Sequence, residues 1–244
     1  MQIALMSWNL WHGQFLDDII DFINEQDADI IALQEVVDAP GQPPMAPRIA
    51  EATGYRFVHF KAFTNDRHDP PDEQGNTVLS RFDITEASAH FLSTLDEYEG
   101  TSETDPRIAV KACVQGAGSG LTVLNTHLAH TTDLTSCPVR LRQIDRLLAL
   151  VEPRQTVLMG DFNVEPGSEE LRRVSRVMVN ADPDPTRPTA FLYEHDKSDG
   201  DPAETEPEYR IDHIFVTADI RVRSFAVLET RASDHYPVMA VIEV

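Results

Sequence analysis

Short, nearly continuous apolar runs recur along the chain, and most are bounded by Gly, Pro, Asn or Asp. Runs of that length and bounding read as strands, many of them buried on both faces. They are QIALMSWN (2–9), ADIIALQE (28–35), YRFVHFKAF (55–63), NTVLSRF (76–82), RIAVKACV (107–114) and LTVLNTHL (121–128). TVLMGDFN (156–163), RIDHIFV (210–216), IRVRSFAVL (220–228) and YPVMAVIEV (236–244) complete the set. In TVLMGDFN the apolar half is the strand, and Gly160 breaks the run. Between these runs the period changes to that of a helix. In FLDDIIDFINEQ (15–26), Phe15, Ile19, Phe22 and Ile23 share one face, and Asp17, Asp18, Asp21 and Glu25 face water. PRIAEATG (47–54) is predicted as a short helix stopped by glycine, and SEELRRVSRV (168–177) as another. SCPVRLRQIDRLLALV (136–151) is amphipathic, with Ser136 as its N-cap and Pro138 in the first turn. Proline-containing and acidic stretches at 39–47, 63–75, 96–106 and 194–209 read as loops, and GAGSG (116–120) as a hairpin turn. Many strands with few helices, in mixed order, imply an α/β (α+β) domain of two sheets packed face to face with helices outside. No repeat or linker divides it, so residues 1–244 are expected to form one domain.

The polar residues fall at the strand ends. Asn9, Glu35, His127, Asp161 and Asn163 close their strands, whereas Asp212, Asp234 and His235 stand at the start of theirs. In antiparallel sheets one strand's end lies beside its neighbour's start, so these groups are expected along one edge. Each has chemistry open to it there. Glu35 and Asp234 are hard oxygen donors suited to Mg²⁺ or Mn²⁺. Asp161 and Asn163, two positions apart in an extended segment, would face the same way. One would accept a proton from water while the other donates to a phosphoryl oxygen. Asp212 would hold His235 in one tautomer. Phe162, between Asp161 and Asn163, would turn away and pack, as would Trp8 beside Asn9.

The ordered motifs SWN, LQE, NTHL, GDFN, RIDHIF and SDHYPV resemble those of the endonuclease/exonuclease/phosphatase superfamily, from Ser7 to Val238. The resemblance implies a DNase I-like fold, a four-layer α/β/β/α sandwich of two mainly antiparallel sheets. It implies a Mg²⁺- or Mn²⁺-dependent phosphoester hydrolase, most readily a phosphodiesterase, working by in-line attack of water on phosphorus. Asn9 would contact the phosphate or the metal's water, and Glu35 would ligate the metal. His127 would stabilise the phosphate or assist the leaving group, Asp161 would activate water, and Asn163 would bind phosphoryl oxygens. Asp234 would belong to the metal shell, and His235, backed by Asp212, would contact the phosphate. Asn76, Arg107 and Trp11 are candidate substrate contacts. Some nuclease relatives carry a metal-binding acidic residue just after the asparagine, where this chain has Trp11 and His12; a second metal therefore finds no obvious ligand. A catalytically silent binding module on the same sandwich is the alternative, and it would be expected to lack one or more of these positions.

Composition narrows the partners. With 41 % hydrophobic and 25 % charged residues the chain is of ordinary globular type. No apolar stretch is long enough for a membrane span and no signal peptide is evident, which implies a cytoplasmic protein without stable membrane association. The net charge of −21, with no basic tract, argues against strong duplex nucleic-acid binding. A local rim of Arg81, Arg107, Lys111 and Arg140 is the available counterweight, although Arg140, on a helix, reads as a surface charge. Arg210 is a competing salt-bridge partner for Asp212. A phosphoester substrate and a monomeric state are expected. The candidate substrates are a nucleic acid, a nucleotide or other small diester, and a lipid headgroup.

Overall fold

The computed structural model describes residues 1–97, 105–116, 120–191 and 208–244; most of the 96–106 and 194–209 loops and the centre of GAGSG lie outside them. The strands are β1 (Gln2–Asn9), β2 (Ile30–Asp38), β3 (Arg56–Asn65), β4 (Asp72–Ser80), β5 (Asp83–Ser93) and β6 (Arg107–Gln115). They continue with β7 (Leu121–His127), β8 (Thr156–Asp161), β9 (Val179–Asn180), β10 (Asp212–Val216), β11 (Arg221–Val227) and β12 (Val238–Glu243). The helices are α1 (Leu16–Glu25), α2 (Met45–Thr53), α3 (Pro138–Leu148) and α4 (Glu169–Ser175). One six-stranded sheet runs β11-β12-β1-β2-β4-β3 and the other β5-β6-β7-β8-β10-β9. Among the described residues only the pairs β1/β2 and β7/β8 are parallel; the remaining ladders are antiparallel.

Side-chain alternation explains the layers. Ile3 and Leu5 point inward, joining Val78, Val110, Val123, Val157, Met159, Ile214 and Val238 in the core between the sheets. Met6, Trp8 and Leu10 point outward, where Ile19 and Ile23 of α1 and Ile49 of α2 cover them. Leu124, Leu158 and Phe162 on the far side pack under Ile144 and Leu147 of α3 and Leu171 and Val174 of α4. The result is the expected α/β/β/α sandwich. No described helix is long and apolar enough to cross a membrane.

Each sheet has its parallel pair near the middle, and both pairs end at the same edge. Beneath that edge the interior turns polar. Gln34 Nε2 donates to Asn125 Oδ1 (2.8 Å), and Asn125 Nδ2 donates to Leu33 O (2.9 Å) and Thr77 O (2.8 Å), joining the sheets. These buried amides fix one sheet against the other, with Gln34 Oε1 left without a hydrogen-bond partner among the described residues.

Several boundaries and assignments differ from the sequence reading. β3 runs to Asn65 and β4 begins at Asp72, so the strands consume much of the expected 63–75 loop. α2 begins at Met45, with Pro47 accommodated in its first turn, where an N–H is dispensable. Cys137, not Ser136, caps α3, its Sγ accepting from Arg140 N; the Ser136 hydroxyl is drawn instead to Glu170 Oε2. Arg140 is no surface charge. It is fully buried, with Nε 3.3 Å from Glu170 Oε1 and Nη1 donating to Ala129 O at 2.7 Å.

Candidate active site

Asp161, the last residue of β8, stands in register with His127 at the end of β7 and with Asp212 at the start of β10. That register brings three separate segments to one point. Gly160 makes the approach possible: a Cβ there would lie 2.0 Å from Thr126 O on β7. From the other sheet, Asn9 Nδ2 donates to both Asp161 Oδ2 and Glu35 Oε1, each at 3.1 Å. His127 Nε2 lies 3.4 Å and His235 Nε2 3.9 Å from Asp161 Oδ2. His235 Nδ1 is 2.9 Å from Asp212 Oδ2. Trp8, buried behind them, donates its indole N–H to His235 O at 2.9 Å. Ser233 Oγ ties the Asp234–His235 turn to β1 by donating to Asn9 O at 2.7 Å.

Glu35 reaches the site by a local irregularity. In regular alternation it would point outward with Leu33, opposite Gln34. The ladder with β4 slips between Leu33 and Val36, and Glu35 takes φ 54°, which turns its carboxylate to Asn9. Bulges of this kind re-aim side chains at functional sites.

Asn163 departs from the expected extended geometry. β8 ends at Asp161, and Asn163 adopts φ 50°, a conformation asparagine tolerates better than most residues. Its backbone N–H donates to Asp161 Oδ1 (2.8 Å), and its Nδ2 donates to Leu128 O (3.0 Å). One amide donor of Asn163 is thus spent on holding the loop after β7. Phe162 packs away from the site as expected.

Asn76, Arg107 and His127 line a small cleft beside the site, together with Phe63, Gln74 and Ile108. Asn76 Nδ2 donates across the sheets to Ile108 O at 3.3 Å. Trp11 N donates to Asn9 Oδ1 (3.1 Å), while the Trp11 ring leans on Phe15, 6.2 Å between centroids. Of the expected basic rim, only Arg107 lines this cleft. Arg81 bonds Asp27 at 2.5 Å, Lys111 bonds Glu152 at 2.5 Å, and Arg140 is paired with Glu170. Arg210 binds Asp182 at 2.9 Å, which leaves Asp212 to His235.

The electrostatics are those of crowded, buried carboxylates. Burial pushes Asp161 above the ordinary carboxylate range; the His235 charge opposes this and Asp212 adds to it. Asp234 is raised likewise by burial, against His235 and with Glu35. Glu35 would also be raised by burial, but the adjacent His12 reverses the sign and holds it well below its usual value. Burial disfavours the charge on His235, yet Asp212, through charge and hydrogen bond, drives its pKa well up. Hard oxygen donors that crowd one another in this way fit a divalent cation of the Mg²⁺ or Mn²⁺ type. Ligand-capable atoms of Asp161, Asp212 and His235 also lie within 4.8 Å of one another. There, however, Asp212 Oδ2 and His235 Nδ1 are already committed to each other, and Asp212 Oδ1 is buried without a hydrogen-bond partner among the described residues.

Two features escaped the sequence reading. The Gln34–Asn125 bridge was signalled only by polar residues interrupting IIALQE and TVLNTH. His12 was noted only as following Asn9, yet its Nε2 lies 3.0 Å from Glu35 Oε2; Gly13 beside it was the available hint of a left-handed turn.

The profile of the Endonuclease/Exonuclease/phosphatase family matches residues 6–235. The fold is similar to an endonuclease/exonuclease/phosphatase from Beutenbergia cavernae DSM 12333, at 22 % identity and TM-score 0.77 over 100 % of this chain and 72 % of that one. It is similar to a mannosyl-6-phosphatase of Bacteroides thetaiotaomicron VPI-5482, at 21 % identity and TM-score 0.73, covering 99 % of this chain and 100 % of the other. A third neighbour is TDP2 from Caenorhabditis elegans, at 19 % identity and TM-score 0.69 over 100 % and 75 % of the two chains. No curated protein sequence matched. Since its profile spans nearly the whole chain, the protein belongs to the endonuclease/exonuclease/phosphatase family.

Proposed function

We propose that the protein is a divalent-metal-dependent phosphoester hydrolase, and specifically a phosphodiesterase. The observation that carries this reading is the convergence on Asp161 Oδ2 of Asn9, His127 and His235, at 3.1, 3.4 and 3.9 Å, with Glu35 on the far side of the same Asn9 amide. Glu35 and Asp234 would hold the cation, with Asn9 steering its water. When bound, the cation would offset charge building on the phosphoryl oxygens.

The chain's own residues divide the remaining work. Asp161, raised toward the working pH by burial, accepts a proton from the attacking water. The water oxygen bonds to phosphorus as the opposite P–O bond breaks, and the leaving oxygen is protonated from solvent. Asp212 fixes the His235 ring so that Nε2 faces the reacting phosphate. His127, at the mouth of the cleft with Asn76 and Arg107, steadies a non-bridging oxygen or the leaving group.

The acidity of the site supports a diester over a monoester. A monoester carries close to a second negative charge at neutral pH. It would meet the carboxyl groups of Glu35, Asp161, Asp212 and Asp234, balanced by the cation, His235 and the neighbouring Arg107. The net charge of −21 and the dispersal of the expected basic rim support a small diester over a long duplex. The test is hydrolysis of bis(p-nitrophenyl) phosphate against p-nitrophenyl phosphate, then of dinucleotides and phospholipid headgroup diesters, after EDTA and after restoring Mg²⁺ or Mn²⁺. Diester turnover that needs the ion supports the reading. Preference for the monoester would overturn the diesterase assignment, and full activity in EDTA would overturn the metal.

A further inference from the structure

Granted the metal-dependent reading above, the geometry points to His12 as a nitrogen ligand of the same cation, making the site prefer first-row transition ions such as Mn²⁺ over Mg²⁺. His12 Nε2 lies 3.0 Å from Glu35 Oε2. Adjacent ligands of an octahedral ion with bonds of about 2.1 Å are separated by about 3 Å. The imidazole and the carboxylate already hold that spacing.

The backbone keeps the ring there against its own preference. Trp11, His12 and Gly13 follow one another at φ 46°, 56° and 69°. Side-chain-bearing residues seldom adopt such values, and the strain persists only where surrounding structure enforces it. Here the turn is pinned from both ends. Trp11 N donates to Asn9 Oδ1 at 3.1 Å, and a Cβ on Gly13 would lie 2.3 Å from Met45 Cε, so the turn sits hard against α2.

The choice of side chain matters as well. A countercharge for Glu35 alone would be met by lysine or arginine, and neither of these ligates a metal while charged. An imidazole can once it gives up the Nε2 proton, which the arriving cation displaces as it takes over as the countercharge of Glu35. The His12 side chain is 45 % exposed, so an ion can reach it from solvent. Imidazole nitrogen favours transition ions, whereas Mg²⁺ keeps to oxygen donors and water.

The experiment is electron spin-echo spectroscopy of the full chain loaded with Mn²⁺, alongside Mn²⁺ and Mg²⁺ titrations, for wild type, His12→Gln and Glu35→Gln. Wild type should show ¹⁴N coupling to the ion, and His12→Gln should lose it. The same variant should weaken Mn²⁺ binding by about tenfold or more while Mg²⁺ binding changes much less. His12→Gly, whose backbone suits the left-handed turn, serves as a second variant; free imidazole should restore its ¹⁴N coupling and Mn²⁺ affinity. Absence of ¹⁴N coupling in wild type, its survival in His12→Gln, or an equal loss of both ions would overturn the inference. Glu35→Gln separates the two levels. If it abolishes Mn²⁺ binding while His12→Gln does not alter the spectrum, only the role of His12 falls. If wild type binds neither ion, the metal-dependent reading itself falls.

Discussion

His235 Nδ1 and Asp212 Oδ2 are 2.9 Å apart, although one residue precedes β12 of the first sheet and the other opens β10 of the second. The contact therefore crosses the sandwich and sets the imidazole so that its other nitrogen faces Asp161. Asp212→Asn keeps the shape but removes the charge that supports the ring. Turnover should fall about 10²-fold, within the range for a disturbed acid–base group, with little change in KM. Steady-state kinetics on a diester substrate checks this; an unchanged kcat would mean that the pair is only structural.

Gly160 is required both by contact and by its backbone, whose φ of 153° residues with side chains rarely adopt. Gly160→Ala would place a methyl 2.0 Å from Thr126 O, a backbone atom that cannot step aside without opening the β7/β8 ladder. Urea unfolding should show a loss of about 1–3 kcal/mol, the usual cost of overpacking. Activity should fall further than stability, because Asp161 is the next residue.

Arg140 and Glu170 form a fully buried ion pair that also gathers Ala129, Thr135, Ser136 and Cys137. Arg140→Met alone strands a buried carboxylate and should cost about 3–5 kcal/mol. Adding Glu170→Gln should recover part of that loss. Chemical denaturation of the single and double variants measures the difference, and strict additivity would contradict the pairing.

His213 faces away from the site, on the opposite side of β10 from Asp212, and its ring meets Phe162 edge-on at 5.6 Å. Burial, with the Arg210 charge adding to it, lowers its pKa to about 3 from 6.5. Because the unfolded chain binds the proton more readily, this contribution is fully present above pH 6.5 and is lost as pH falls toward 3. Stability should decline through that window by up to about 1.4 kcal/mol per pH unit from this group. His213→Phe should flatten the decline; thermal melts from pH 7 to pH 4 would show an unaltered slope if the account is wrong.

The regular part of this structure was legible because alternation is a local property. Ile3 and Leu5 against Met6 and Trp8 state which face of β1 meets the other sheet. The polar residues closing those runs marked the edge where the site forms. What could not be read depends on departures from regularity or on distant pairing. Glu35 reaches Asn9 only through a bulge, and Asn163 meets Asp161 through a left-handed turn. His12 is brought to Glu35 by three consecutive positive φ values. Arg140 looks like a helix-surface charge until Glu170, thirty residues on, is folded against it. The helix period could not reveal this, because it reports amphipathicity and not the partner.

The central claim is that Asp161 activates the water that attacks phosphorus, and Asp161→Asn tests it most directly. The substitution keeps the side chain's size, and its single amide oxygen can still accept from Asn9 or from the Asn163 N–H, though not from both. With bis(p-nitrophenyl) phosphate and saturating Mn²⁺, it should lower kcat by about 10²–10⁴-fold while the variant still folds and still binds the ion. Turnover within a few-fold of wild type would contradict the account.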